Sequence, residues 1–437
     1  MKRHIAILFL VLVGIPLLLI ATTTFGVFDQ LEYVISSKKS AQHLFHVQSI
    51  DTMKYSRDRA EQILNNPAAF DALINKQMAL IEAAGATHVA IDTPYDARFI
   101  PVLERWVHSA RAHHLSVWFR GNFSGWEGWF GYGKIDRDEH KRLLTEFIRN
   151  NPSLFASGDI FTPCPECENG GPGDPRQSGD NDGYNSFLVE EKEIADAEFR
   201  SVHKLIPVYV SMNADIARYI LTPLVASKLG GTILIDHYTR SVEQFAVDIK
   251  SLRESLHANI GLGEFGAPIP DLNGEMSDAE QGKFVHALFD VLYQGNDVVP
   301  VTNYWVLKGG STALLNDDDT PRQAYKELSA YYKAPYLHGT ISNSLGEPLR
   351  DTTIVIGTSS RKVVKGSDYS LYLPGAYRSI SIISSGYKTV TLQLPVILAT
   401  STRQDVYLSP TKPTFWYNMK LLIHKLGGKR NTVNSSL

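Results

Sequence analysis

The sequence predicts an α/β protein in which a (β/α)8 barrel is followed by a small all-β sandwich. From about residue 45 to 334, short apolar runs alternate with helix-length amphipathic segments. Eight such repeats in this stretch match the size of a (β/α)8 barrel. After Ala334-Pro335 the helical period disappears, and short alternating runs with turn signals take its place.

The barrel region contains eight runs with the length and apolar character of buried parallel strands. In chain order they are Phe45–Ile50, Thr87–Asp92, Leu115–Arg120, Asp159–Thr162, Ile206–Ser211, Thr232–His237, Ile260–Glu264 and Val298–Trp305. A doubly wound sheet is the alternative. It is disfavoured because HVQSIDTMKY follows the first strand where a Gly-rich phosphate loop would be expected.

Amphipathic segments between these runs predict helices. Ser241–Leu256 and Ser277–Tyr293 both place apolar residues at three-and-four spacing, and so does Arg137–Arg149. The second of these segments opens with Ser277-Asp278-Ala279-Glu280, which is a capping-box pattern.

The first 28 residues predict a membrane or export segment. Lys2 and Arg3 precede an uncharged run from Ile5 to Phe28, which is long enough to span a bilayer. We expect an uncleaved signal anchor, because LIATTTFG is a poor cleavage site; a cleaved signal peptide is the alternative. The basic flank predicts an extracytoplasmic body in a single-pass membrane protein, or a secreted one if cleavage occurs.

The overall composition excludes some classes of function. Across 437 residues the net charge is −3, with no readable basic face, which argues against nucleic-acid binding. The two cysteines form the C-x-x-C of Cys164 and Cys167, and they are too few for a disulfide scaffold. A zinc site would need further ligands at similar spacing, so paired or free structural thiols are favoured and no metal or cofactor is expected. The oligomeric state is not determined by the sequence.

Two further segments lie outside the regular repeats. Asn169–Tyr184 is predicted to be a long polar loop, and its Asp174, Asp180 and Asp182 lack the spacing of a calcium-binding EF-hand. Residues 335–410 predict the sandwich, with its strands within Leu337–Ser409, and residues 411–437 a basic tail. The tail could touch a membrane surface, although a frayed terminus is the simpler expectation.

Carboxylates at predicted strand ends carry the functional signal. Glu264 ends the seventh strand in IGLGEFGAP, between Gly263 and Gly266, and a buried charge at such a position needs a partner or a chemical role. The fourth strand leads into Glu166 and Glu168. Because active sites of barrels lie at the carboxyl ends of the strands, these groups should meet. Two carboxylates are the equipment for cleaving a glycosidic bond, and either Glu166 or Glu168 should act as general acid and then as general base.

Other polar and aromatic residues fall at the same end of the predicted barrel. Tyr238 could hydrogen-bond the nucleophile, and Trp126 and Trp129 could stack on sugar faces if their Gly-rich loop exposes them. Packing beneath that loop is the alternative for both tryptophans. The remaining candidates for substrate contact are Arg120, Asn169, Asn213, His237 and Trp305.

Taken in order, these residues resemble the clan A glycoside hydrolases, especially family 5-like enzymes. The matching positions are Glu166, Glu264 within GEFG and Trp305 within TNYW, with further similarity at Arg120 and His237-Tyr238. The resemblance covers roughly residues 45 to 334 and implies retaining hydrolysis by double displacement, with Glu264 as nucleophile and Glu166, or alternatively Glu168, as acid/base. It departs at Pro165, where the family usually has Asn before the acid/base. Asn169 is the candidate substitute.

The C-terminal region resembles carboxypeptidase regulatory-like sandwiches, on HGTISNSLGEPLRDTTIVI and DYSLYLPGAYRSISIISSGYKT. That resemblance implies a non-catalytic accessory module. The first functional hypothesis is therefore a membrane-tethered glycoside hydrolase acting on a polysaccharide or glycoconjugate. The alternative is a catalytically inactive barrel that binds glycans. The sugar, its linkage and the endo or exo mode are not determined.

Overall fold

The structure is a computed structural model that describes residues 43–294, 299–356, 360–364, 366–374, 379–393 and 401–426. The predicted anchor at Ile5–Phe28 lies outside these residues. Among the helices that are described, none has the length and apolar character needed to cross a membrane.

One sheet of eight parallel strands forms the first part of the fold. The strands are β1 Val47–Asp51, β2 His88–Ile91, β3 Ser116–Phe119, β4 Ile160–Phe161, β5 Ser211–Asn213, β6 Thr232–Asp236, β7 Asn259–Phe265 and β8 Val301–Tyr304. Their order is β4-β3-β2-β1-β8-β7-β6-β5, and a parallel bridge between Phe161 and Val208 joins β4 to the chain that enters β5. The two edges of the sheet therefore meet, and the predicted barrel is confirmed.

Helices connect these strands. They are α1 Met53–Ser56, α2 Ala60–Asn65, α3 Pro67–Ala83, α4 Ile100–Ala112, α5 Ser124–Glu127, α6 Arg137–Asn150, α7 Pro175–Ser178, α8 Asn181–Ser201, α9 Ala214–Ile220, α10 Pro223–Lys228, α11 Val242–Leu256, α12 Pro270–Asn273, α13 Asp278–Gln294 and α14 Gln323–Tyr332. The three predicted helices correspond to α6, α11 and α13. The capping box of α13 is formed, because Ser277 Oγ accepts from the Glu280 N–H and Glu280 accepts from the Ser277 N–H.

Side chains from alternate positions fill the barrel. Six strands contribute to an interior cluster made of Val47, Ala90, Trp118, Ile160, Leu234 and Val301. A larger cluster packs between the sheet and the surrounding helices. Burial of this apolar surface is the main force that fixes the strand ends relative to one another.

Two sequence predictions are wrong in this region. The fifth strand lies at Ser211–Asn213 rather than Ile206–Ser211, and Pro207, which has no N–H to donate, enters the sheet only through its carbonyl. The segment 169–184 is not a plain loop, since it contains α7 and the start of α8. Asp174 and Asp180 cap these two helices by accepting backbone N–H bonds.

The C-terminal region consists of two small sheets. Its strands are β9 Tyr336–Asn343, β10 Thr352–Ile356, β11 Ser360–Val364, β12 Asp368–Tyr372, β13 Ser379–Ile383, β14 Val390–Gln393, β15 Ser401–Arg403 and β16 Val406–Leu408. One sheet has the order β11-β10-β13-β14, and in the other β9 lies between β12 and β15 and also pairs with β16. Residues of both sheets share one hydrophobic cluster, as in a sandwich. Its membership of the carboxypeptidase regulatory-like family stays a prediction.

The sandwich is attached to the barrel and continues into a last helix. The hydroxyl of Tyr293 on α13 donates to the carbonyl of Tyr372 on β12 at 2.5 Å. Helix α15, Phe415–Leu426, follows β16 within the predicted basic tail.

Candidate active site

A buried network of charges lies at the carboxyl ends of the barrel strands. Arg120, directly after β3, is only 1% exposed, and its two Nη atoms each donate to a carboxylate at 2.7 Å: Nη1 to Glu264 and Nη2 to Asp236. Asp51 and Asp92 each place an oxygen 3.8 Å from Nη1. A guanidinium can compensate the negative charge of several carboxylates at once, because its N–H donors form a rigid planar fork.

Glycine makes the crowding around Glu264 possible. A Cβ on Gly263 would lie 2.2 Å from Asp236 Oδ1 and 2.5 Å from Ser211 Oγ. A Cβ on Gly266 would lie 2.7 Å from the carbonyl oxygen of Trp305. Both glycines therefore let neighbouring groups approach the strand that carries Glu264.

Glu264 is held from two sides. Its Oε1 accepts from Arg120, and its Oε2 accepts from the hydroxyl of Tyr238 at 2.9 Å. Since the residue is part of strand β7, its backbone is fixed by the sheet. The side chain thus has little freedom to leave its position.

Glu166 is the second carboxylate of the site. It follows β4 in a left-handed conformation, with φ of 45°, inside the loop that the Cys164–Cys167 disulfide closes. The side-chain amide of Asn169 donates to its Oε2 at 3.0 Å. One oxygen each of Glu166, Asp236 and Glu264 lie within 4.8 Å of one another.

This proximity determines where protons bind. Burial, followed by the negative charge of Glu264, raises the pKa of Glu166 well above its ordinary value. Burial also raises the pKa of Glu264 to about 8, although Arg120 opposes the shift. Glu264 is paired with a cation, whereas Glu166 accepts one neutral amide donor. Of the two carboxyl groups, Glu166 therefore has the surroundings that favour the protonated form more strongly.

Glu168 is held by hydrogen bonds of its own and is not part of the cluster of Glu166, Asp236 and Glu264. The backbone N–H and the side-chain amide of Asn213 both donate to its Oε1, at 2.6 and 3.0 Å, and the hydroxyl of Tyr184 lies 3.4 Å from its Oε2. Burial raises its pKa to about 7. Asn213, a predicted substrate contact, thus binds Glu168 in this structure.

The aromatic candidates separate into two groups. Trp129 and Trp305 lie at the edge of the site, with Arg57 4.8 Å and Lys54 5.6 Å from the respective ring centroids. Trp126 is only 2% exposed, so of the two alternatives for this residue the structure has it packed beneath its loop. Its ring stacks on Phe187, and its indole N–H donates to the Cys167 carbonyl, which ties the Glu166 loop to the barrel.

His237 faces a helix as well as the site. Its Nε2 lies 3.1 Å from Asp248 on α11, and its ring stacks on Phe245. Burial lowers the pKa of His237. A ring nitrogen engaged in this way is not available to a sugar.

The site encloses a narrow cavity of about 40 Å³. It is lined by Met53, Arg57, Asp92, Arg120, Glu127, Trp129, Pro165, Glu166, Asn169 and Glu264. Pockets for small ligands usually measure roughly 300–1,000 Å³. A sugar ring would therefore require Arg57 and Trp129 to move outward.

Sequence reasoning missed Asp51 and Asp236 as members of the site. A signal was present, because QSID and ILID each place a carboxylate at or next to the end of an apolar strand. Arg57 was also missed. It lies beyond the short helix α1, where the sequence shows only one charge among several.

No protein-family model and no curated protein matches the sequence. Solved structures similar to this one include a GH5_18 variant from Streptomyces cattleya in complex with Manb1-4GlcNAc, at 12% identity and a TM-score of 0.49, over 68% of this chain and 83% of that one. Another is a GH5_18 variant from Bifidobacterium longum in complex with Manb1-4GlcNAc, at 12% identity and a TM-score of 0.48, over 69% and 84%. A third is a family 5 xyloglucanase from Paenibacillus pabuli, at 15% identity and a TM-score of 0.44, over 58% and 89%.

Proposed function

We propose that this protein is a retaining glycoside hydrolase. The observation that carries the proposal is the approach of Glu166 and Glu264, whose carboxylate oxygens lie within 4.8 Å at the ends of β4 and β7. Retaining enzymes hold their two carboxyl groups about 5–5.5 Å apart, whereas inverting enzymes separate them by roughly 6.5–9.5 Å to admit a water molecule. The short separation favours the covalent route.

In the first step Glu264 attacks the anomeric carbon while the protonated Glu166 donates its proton to the glycosidic oxygen. The bond from the anomeric carbon to that oxygen breaks, and a glycosyl ester forms on Glu264. Arg120 and Tyr238 hold the attacking carboxylate in place and compensate its charge. The raised pKa of Glu166 favours the protonated form that a general acid needs.

In the second step water attacks the same carbon, and the now ionised Glu166 accepts its proton. The ester bond breaks, the sugar leaves with its original anomeric configuration, and Glu264 returns as a carboxylate. Glu166 is protonated again, by the proton of the attacking water. Its high proton affinity beside the charge of Glu264 suits this alternation.

The substrate class that fits is a polysaccharide or glycoconjugate outside the cytoplasm. Trp129 and Trp305 offer ring faces at the mouth of the site once Arg57 and Lys54 move, and such faces suit the apolar sides of sugars. The uncharged run at Ile5–Phe28 supports a single-pass membrane anchor, with secretion as the alternative.

The narrow cavity favours a second candidate, a barrel that binds glycans without cleaving them. The cavity holds only about 40 Å³, and Pro165 occupies the position where family 5-like enzymes usually carry an Asn that contacts the sugar. A ligand could then bind at the outer aromatic rings without reaching Glu264.

A substrate screen separates the two candidates. The parent protein would be incubated with polysaccharides and with activated aryl glycosides, and the first-formed sugar anomer would be followed by NMR. Release of a product with retained configuration supports the proposal. A product with inverted anomeric configuration would contradict the double displacement. Binding of glycans without turnover of any substrate would establish the second candidate, a barrel that binds glycans without cleaving them.

A further inference from the structure

Helix α15 has an apolar surface that faces solvent. Phe415, Trp416 and Ile423 are 71%, 73% and 64% exposed, and Met419 and Leu422 are exposed as well. Single exposed apolar residues are common on proteins, but five on one short helix form a contiguous patch. We define these five residues as the α15 apolar face.

The helix geometry separates this face from the rest of α15. At 3.6 residues per turn, the five side chains fall within an arc of about 120°. The half-buried residues Tyr417, Leu421 and His424 lie on the opposite arc. The side of α15 that is partly covered is therefore the more polar side, which is the reverse of the pattern expected for a helix docked on its own protein.

The sequence that includes α15 carries charge of one sign only. Between Thr411 and Leu437 the chain has no acidic residue, whereas it carries the cations Lys412, Lys420, Lys425, Lys429 and Arg430. Lys420 lies on the helix next to the α15 apolar face and Lys425 on its other flank. Aromatic and aliphatic residues bordered by lysines are the composition of helices that lie in the plane of a membrane surface.

We infer that α15 lies in the surface of a bilayer containing anionic phospholipid. Its apolar face enters the boundary of the acyl chains, and its lysines meet the phosphates. The helix has 12 residues, so it rises about 18 Å and cannot cross a hydrocarbon core of about 30 Å. The inference rests on α15 alone and holds whether or not the segment at Ile5–Phe28 is cleaved.

Two other groups could cover the α15 apolar face, a second copy of the helix or the apolar run near the N-terminus. Their charge disfavours both. A second copy of α15 would place its lysines against those of the first. The apolar run at Ile5–Phe28 is preceded by Lys2 and Arg3 and also contains no carboxylate to pair with them. An anionic membrane surface provides apolar contact and opposite charge together.

Trp416 allows a direct test in the full-length protein. The chain would be reconstituted into phosphatidylcholine vesicles with or without 30% phosphatidylglycerol, in which the acyl chains are brominated and quench nearby tryptophan. The Trp416→Phe variant supplies the signal of the other five tryptophans, and the difference from the parent isolates Trp416. The test variant is Phe415→Glu with Ile423→Glu. Its matched control is Leu205→Glu with Leu224→Glu, at exposed leucines of the barrel region.

We expect strong quenching of Trp416 in vesicles with phosphatidylglycerol, weaker quenching without it, and loss of quenching in the Phe415→Glu, Ile423→Glu variant but not in the control. Absence of quenching in both vesicles would overturn the inference. Equal quenching in both would exclude an anionic surface as the partner. Protection of Trp416 that grows with the protein-to-lipid ratio would show that a second copy covers the face.

Discussion

The two catalytic candidates occupy contrasting environments. Glu264 belongs to a regular strand, accepts from Arg120 and Tyr238, and lies beside Asp236. Glu166 belongs to a loop in a left-handed conformation and accepts from Asn169 alone among the described residues. The strand provides a fixed carboxylate with a compensated charge, and the loop provides a carboxyl with high proton affinity. Two residues of the same type thus differ in hydrogen bonding and in charge compensation, which is the kind of difference that the two proposed roles require.

The largest loss of activity is expected from substitution of Glu264 on strand β7. Glu264→Ala removes the attacking oxygen, so kcat should fall on the order of 10⁴-fold or more for every substrate, activated or not. Steady-state rates of the two variants Glu264→Ala and Glu275→Gln would be compared, the second serving as the control at an exposed glutamate. Activity of Glu264→Ala within tenfold of that of the parent would rule out Glu264 as the nucleophile.

Substitution of Glu166 in its loop should cause a smaller loss of activity, and one that depends on the leaving group of the substrate. Glu166→Ala should cost roughly 10²–10⁴-fold on natural substrates, because the leaving oxygen lacks a proton donor. An activated aryl glycoside needs little protonation of its leaving group, so the glycosyl ester on Glu264 should still form. Azide should then restore turnover by attacking this ester, and the product should be a glycosyl azide. Failure of azide to rescue Glu166→Ala, together with rescue of a Glu168 variant, would assign the acid/base two residues downstream.

The hydrogen bond from Tyr238 to Glu264 is one of the features that distinguish Glu264 from Glu166. Its hydroxyl stabilises the ionised form of Glu264, so Tyr238→Phe should raise the pKa of Glu264 further. The acidic limb of the kcat/KM profile should move to higher pH, and activity should fall roughly tenfold. A pH profile with unchanged shape would show that Tyr238 only packs beside the site.

The smallest effect on activity is expected at Glu168, where stability should change instead. Its folded pKa of about 7 exceeds the ordinary value of 4.5, so the folded state binds more protons and stability falls as pH rises between these values. The cost should reach about 3 kcal/mol above pH 7. Glu168→Gln removes this titration while keeping an oxygen for Asn213.

Urea unfolding at several pH values would test this. The stability of Glu168→Gln relative to the parent should improve by about 3 kcal/mol from pH 4.5 to pH 7. The exposed Glu275→Gln variant serves as the control and should track the parent. A constant difference across that range would show that Glu168 does not take up a proton on folding.

Particular elements show how far sequence patterns reach. Helix α11 and the capping box of α13 were predicted because their signals are local, resting on residues three or four positions apart. The fifth strand was misplaced because an apolar run predicts burial without specifying which residues pair. The start of α8 was missed because polar, Gly-rich sequence concealed the caps at Asp174 and Asp180.

The sequence by itself determined the alternation of strands and helices, and it placed Glu264 and the Glu166–Glu168 pair at strand ends. It preferred Glu166 to Glu168 as the acid/base only through the resemblance, since two carboxylates in one loop share the same local signal. The tertiary structure decided which groups each of them contacts: Asn213 on β5, 45 residues beyond Glu168, binds that side chain, while the conformation of Glu166 brings its oxygen near Glu264. Arg120 likewise acquires its partners from strands far apart in the chain, and contacts of this kind are set only when the barrel closes.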